Sequence, residues 1–240
     1  MKPFHRKIVF FELILLYVVI LLAVKEKIVA DPDTIGVSAI WWDRGDGDVI
    51  DPYKNLSKKV ALTFDDGPDP YYTELLLDGL KERKVQATFF VTGIHAEQNP
   101  KIIARMYAEG HLVGNHTYSH IQLKTSNREK YKEELLKTSQ ILQDITGEPV
   151  QFVRPTYGTW DKKLEKELDM LPVMWTVDPR DWCQSSAACI AQSVVKKVKE
   201  GDIILLHDQY DPSVKAALMI VDELKKQGYE FVTVDKMLLE

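Results

Sequence analysis

Lys59-Val60-Ala61-Leu62-Thr63-Phe64-Asp65-Asp66-Gly67-Pro68 is the stretch around which the rest of the chain can be organised. Residues 59–64 read as a strand, and two adjacent carboxylates follow it directly. Gly67 and Pro68 force a turn there, so the two carboxylates can converge instead of pointing to opposite faces as they would within a strand. Crowded carboxylates repel, which raises one pKa unless a cation sits between them or on one of them. A solvated Asp-Gly turn has the same local sequence, so the pair needs company elsewhere in the chain.

Downstream, strand-like and helix-like runs alternate. Helices are predicted at 72–84, 100–109, 128–145, 188–199 and 212–226, and strands at 87–91, 112–113, 151–153, 173–176, 203–206 and 231–233. Ser126 or Asn127 can cap the third of these helices, and Gly110 and Gly147 end the second and third. This order implies an α/β fold with a mostly parallel sheet covered by helices. Polar residues cluster directly after the strands: Asp65 and Asp66, His116 and His120, Arg154, Asp178 and Asp181, and His207. In parallel α/β folds the strand C-termini form one face, whose loops carry the chemistry, so residues far apart in sequence are delivered to one place.

With 240 residues, 45% of them hydrophobic and 28% charged, the chain can hold one ordinary domain without disulfide staples. The formal charge is −5; the first 30 residues hold five of the 31 basic and two of the 36 acidic side chains, leaving the rest at −8. A domain that negative has no general attraction for phosphate backbones, which argues against nucleic acid as a partner. Residues 8–24 are apolar apart from Glu12 and follow Lys2, Arg6 and Lys7. That run is long enough to cross a bilayer, and the basic residues before it keep its start inside, so the domain is expected to act outside the cytoplasm. It is either membrane-anchored or secreted after cleavage near Ala30. The expected division is an anchor or signal segment at 1–30, a tether and cover at 31–57 and a catalytic domain at 58–240, acting as a monomer. Cys183 and Cys189 match no zinc spacing; they could close a small loop or remain two thiols.

His116-Thr117-Tyr118-Ser119-His120 supplies a candidate metal site. Histidines four apart share one face of a helical turn, with Cβ atoms about 5–6 Å apart, which suits two imidazoles meeting one ion. Adding one carboxylate gives three protein ligands and an open position, as catalytic zinc requires. His95 and His111 have no assigned role.

Five ordered motifs now stand together: Thr63-Phe64-Asp65-Asp66-Gly67-Pro68; the histidines at 116 and 120; Arg154-Pro155-Thr156-Tyr157-Gly158; Asp178-x-x-Asp181-Trp182; and Ile204-Leu205-Leu206-His207. Over residues 58–238 the chain resembles the polysaccharide deacetylase family, the NodB-homology domain of carbohydrate esterase family 4. The resemblance implies a distorted (β/α) barrel and metal-dependent N-deacetylation of N-acetylglucosamine units in peptidoglycan, chitin or related glycans. It implies Asp66, His116 and His120 as ligands of one divalent ion, zinc first, with cobalt or manganese as alternatives. Asp65 is then the general base, oriented by Arg154, and His207 the general acid, tuned by Asp178. The backbone N–H of Tyr157 would help hold the oxyanion, while Trp182 and Leu206 would wall the acetyl pocket. Thr156 and Ile121 depart from the prolines usual in the family, at positions without a catalytic side chain. An outward-facing anchor favours peptidoglycan as substrate over a soluble chitooligosaccharide.

Two other classes compete. Two histidines and a carboxylate also make the facial triad of non-haem iron oxygenases, but a second Asp beside the ligand and a distant acid His favour hydrolysis. A non-catalytic glycan-binding surface protein on the same fold would be expected to lack Asp65 or His207, and both are present.

Overall fold

β1, Lys58–Asp65, is the strand expected at 59–64, and it is buried on both faces from Val60 onward. A computed structural model describes residues 58–239. Val60, Leu62 and Phe64 join one apolar cluster with Leu76, Leu77 and Leu80, while Ala61 joins another with Phe90, Phe152, Val173 and Ile203. The two-residue period of a strand therefore puts Thr63 and Asp65 on the Ala61 side, away from the Leu76–Leu80 cluster. A central strand of a helix-covered parallel sheet needs this double burial.

Among the described residues seven strands form one sheet, paired in parallel throughout. After β1 come β2 (Thr88–Val91), β3 (Leu112–Asn115), β4 (Phe152–Val153), β5 (Leu171–Pro172), β6 (Ile203–His207) and β7 (Tyr229–Val232). The order is β5-β4-β3-β2-β1-β6, with β7 along the first half of β1. The helices are α1 (Tyr72–Glu82), α2 (Gly93–Gln98), α3 (Pro100–Ala108), α4 (Arg128–Thr146), α5 (Lys162–Leu168), α6 (Ala187–Val195), α7 (Asp211–Lys226) and α8 (Val234–Leu239). Leu76, Leu77 and Leu80 of α1, Ile102, Ile103 and Met106 of α3, and Ile220, Val221 and Leu224 of α7 are the apolar stripes that cover the sheet.

The strand expected at 173–176 lies elsewhere, at Leu171–Pro172. Residues 171–177 instead run between the two sheet edges. At one end the Leu171 and Val173 N–H groups donate to Gln151 O and Val153 O, both at 2.8 Å; at the other, Thr176 N–H donates to Ile203 O at 3.0 Å and Leu205 N–H to Val177 O at 2.9 Å. Split between β4 and β6, the segment builds a long ladder with neither. α2, α5 and α8 were not expected. α5 buries only Leu164, so it has no apolar stripe to announce it, although Asp161 caps it by accepting from the Lys163 N–H at 3.0 Å. The membrane or signal helix expected at 8–24 and the tether at 31–57 lie outside the described residues. Among the described residues no helix is long and apolar enough to cross a membrane.

Candidate active site

β1 ends in Asp65, and His116, Arg154 and His207 come directly after β3, directly after β4 and at the end of β6. The sheet thus delivers these side chains to one edge, where a cavity of 410 Å3 is lined by Asp65, Asp66, His116, His120, Tyr157, Asp178, Trp182 and His207.

Asp65 and Asp66 do different things. Asp65 is 4% exposed and accepts a hydrogen bond from Arg154 Nη1 at 2.9 Å. Arg154 is fully buried: Nη1 also donates to Thr63 Oγ1, Nε donates to Val173 O at 3.2 Å, and the guanidinium lies 4.3 Å from the Phe90 ring centre. Held on that many sides, the guanidinium fixes the Asp65 carboxylate instead of following it. Asp66 turns away with φ 75°, and its Oδ1 lies 3.3 Å from His116 Nε2 and 3.2 Å from His120 Nε2. Burial alone would raise the Asp66 pKa; the close His116 contact and the charges of His116, His120 and His207 overcome it and hold the group at about 2.

The two histidines meet, but not on a helical turn. Residues 116–120 form a loop with left-handed backbone at Thr117 (φ 63°) and His120 (φ 56°), and the imidazole centres are 5.0 Å apart. Asn115 shapes this loop: its Nδ2 donates to Leu135 O and Ser139 Oγ, both at 2.8 Å, while its Oδ1 accepts from the Thr117 N–H at 2.8 Å. His116 Nδ1 lies 2.7 Å from Arg154 O, which can only accept, so Nδ1 carries a proton and Nε2 is the atom turned to Asp66. Burial, with the charges of His116 and His207, lowers the His120 pKa against the pull of Asp66 and Asp65, favouring the neutral form a ligand needs.

Asp66 Oδ1 is buried and accepts no hydrogen bond, and one donor atom from each of Asp66, His116 and His120 lies within 4.8 Å of the others. A lone carboxylate oxygen facing two imidazole nitrogens is the arrangement a divalent cation completes, so these residues fit a metal.

Two expectations about the far side of the cavity are corrected. The carboxylate on His207 is Asp181, not Asp178: Asp181 Oδ1 lies 2.8 Å from His207 Nδ1, and its Oδ2 accepts from the His207 N–H at 2.8 Å. Asp178 lines the cavity, but its Oδ1 accepts from the Arg180 N–H at 2.7 Å in a local turn. Burial would lower the His207 pKa; the Asp181 hydrogen bond and the charges of Asp181, Asp65 and Asp66 overcome it and push it to about 9. Leu206 is fully buried in the helix-side cluster, and Leu205 is the residue that lines the cavity. Strand periodicity carried this signal, because Leu205 and His207 share a face and Leu206 does not. Tyr157, with left-handed φ 57°, stands 62% exposed at the rim with its ring 4.8 Å from His120, and Trp182, 59% exposed, belongs to the same lining. Cys183 and Cys189 are free, exposed thiols.

The polysaccharide deacetylase family model matches residues 53–174. A peptidoglycan-N-acetylglucosamine deacetylase of Bacillus cereus is 41% identical over 192 residues, covering 77% of this chain and 90% of that protein. The peptidoglycan-N-acetylglucosamine deacetylase PgdA of Listeria monocytogenes is 37% identical over 186 residues, 78% of this chain and 40% of the longer Listeria protein. Among solved structures, the peptidoglycan deacetylase PdaC from Bacillus subtilis superimposes with a TM-score of 0.72 at 38% identity, covering 76% of this chain and 90% of that one.

Proposed function

This chain belongs to the polysaccharide deacetylase family, and from that premise we propose that it removes N-acetyl groups from N-acetylglucosamine units of peptidoglycan. It is a hydrolase of the N-acetyl amide bond: one water is consumed, and acetate and a free glucosaminyl amine are released. The observation that carries the reading is the division of the two adjacent carboxylates, Asp65 on Arg154 and Asp66 on the histidine pair. Continuity of the sheet edges through residues 171–177 supports a distorted (β/α) barrel as the frame.

Asp66, His116 and His120 would hold the divalent ion, zinc being the first choice for a two-histidine, one-carboxylate set. When bound there, such an ion polarises the acetyl carbonyl and acidifies water. The remaining steps fall to the chain's own groups. Asp65, aimed by Arg154, accepts the proton of the attacking water. The Tyr157 N–H donates to the oxygen that gains charge as the carbonyl becomes tetrahedral. His207 Nε2 gives its proton to the departing nitrogen, while Asp181 on Nδ1 keeps the ring charged and oriented until then. Leu205 closes the cavity beside the acetyl methyl, and the exposed rings of Tyr157, Trp182 and Tyr210 offer flat faces to sugar rings at its mouth.

The relatives' names support peptidoglycan as substrate and action outside the cytoplasm, where a cell-wall polymer lies, and the apolar run at 8–24 suits a membrane anchor or secretion signal. Purified protein with added zinc, incubated with peptidoglycan, chitin oligomers and xylan, should release acetate fastest from peptidoglycan, and excess chelator should abolish the release. Faster release from chitin oligomers would move the substrate assignment to soluble oligosaccharides.

The Asp181–His207 pair makes a pH prediction. An acid works only while protonated, so activity falls as pH rises through the pKa of His207. Asp181→Asn removes the carboxylate that raises that pKa. The alkaline limb of kcat/KM should move to lower pH by about 1–3 units, the usual influence of an adjacent opposite charge. An unmoved limb would remove His207 from the acid role.

A further inference from the structure

The backbone carbonyl of Asp66 is met by three side chains. His95 Nδ1 lies 2.8 Å from it, Gln209 Nε2 donates to it at 2.9 Å, and Thr92 Oγ1 donates at 3.2 Å. The next peptide is tied as well, since the Thr92 N–H donates to Gly67 O at 3.2 Å. Because a carbonyl only accepts, the contact at 2.8 Å fixes the proton of His95 on Nδ1. The donors arrive from two directions, Thr92 and His95 from the start of α2 and Gln209 from the loop between β6 and α7. Asp66 itself has φ 75°, a left-handed conformation that a residue with a Cβ adopts reluctantly. Left to relax to negative φ, the residue would swing its carboxylate away from His116 and His120.

We propose that His95 and Gln209 are positioning residues for the metal site, which hold Asp66 in its strained conformation through its carbonyl and so set metal affinity without touching the ion. The inference rests on the reading of Asp66, His116 and His120 as metal ligands. Neither residue belongs to the five motifs, and no part of the proposed chemistry uses them. Their effect is that of the outer partners of metal ligands, which hold a ligand in a geometry it would not keep alone.

The test measures zinc affinity of the full chain by competition with a chromophoric chelator. His95→Phe keeps a ring and removes the donor; Gln209→Met keeps the chain length and removes the amide. Each should weaken zinc binding by about 10–100-fold, the range seen when such partners are lost. Each variant's activity should keep rising with added zinc at concentrations that already saturate the parent. His95→Asn is the rescue, because Asn Nδ2 occupies the place of His Nδ1 and can donate to the same carbonyl; its affinity should return to within a few-fold of the parent. Melting of the zinc-free proteins shows whether the variants fold, and either donor deletion alone suffices for the comparison. Zinc affinities of His95→Phe and Gln209→Met within twofold of a zinc-binding parent would overturn the inference and leave the metal site standing. A parent that binds no zinc would overturn the metal reading and this inference together.

Discussion

Replacing Asp65 by Asn should reduce acetate release by about 10²–10⁴-fold, the usual contribution of a positioned general base, while the metal stays bound. Asn keeps the size of the side chain and an oxygen that can accept from Arg154 Nη1, now at 2.9 Å from Asp65 Oδ1, so the geometry around the guanidinium survives. What disappears is the capacity to take a proton from water. The substitution also leaves the buried Arg154 charge without its counterion, and breaking a buried pair by removing one partner costs about 3–5 kcal/mol when nothing replaces it. The retained hydrogen bond should keep the loss below that range, which thermal melting checks. Kinetics from acetate release and zinc content by elemental analysis separate the two roles. Parent-like kcat/KM in Asp65→Asn would remove Asp65 from the mechanism, and loss of zinc would make it a ligand instead.

His120→Ala should show the opposite pattern, loss of zinc and with it of activity, in a protein that still folds. His120 suits this test better than His116. The His116 side chain is 4% exposed with its Nδ1 against Arg154 O, whereas the His120 side chain is 33% exposed and stands at the loop's end. Deleting a partly exposed imidazole disturbs packing little, so the effect can be read as ligand loss. Removing one of three protein ligands should weaken zinc binding beyond the effect expected for His95 or Gln209, which only support a ligand. Unchanged zinc content in His120→Ala would exclude it as a ligand.

How far the sequence revealed this arrangement depended on whether each feature had a local physical signature. β1, β2 and β6 were legible as continuous apolar runs, α1, α3 and α7 as apolar stripes, and α4 by the Gly147 that ends it. The segment 171–177 was misread because it is shared between β4 and β6, a tertiary circumstance with no local trace. His116 and His120 were expected to meet on a helical turn; they meet through two left-handed residues and the hydrogen bonds of Asn115, none of which spacing can show. The choice between Asp178 and Asp181 turned on which carboxylate faces β6, decided by the turn that Arg180, with φ 54°, makes between them. The Leu206 assignment, by contrast, could have been corrected from strand period alone. His95 and Gln209 carried no signal, since their role is visible only once both converge on one carbonyl.

The most direct test is to treat purified peptidoglycan with the zinc-loaded chain and count acetate released and free glucosaminyl amines formed in the same reaction. Equal amounts of both, lost on chelation and regained with zinc, are the predicted result. Binding to the glycan with no acetate released, under conditions where zinc is bound, would contradict it.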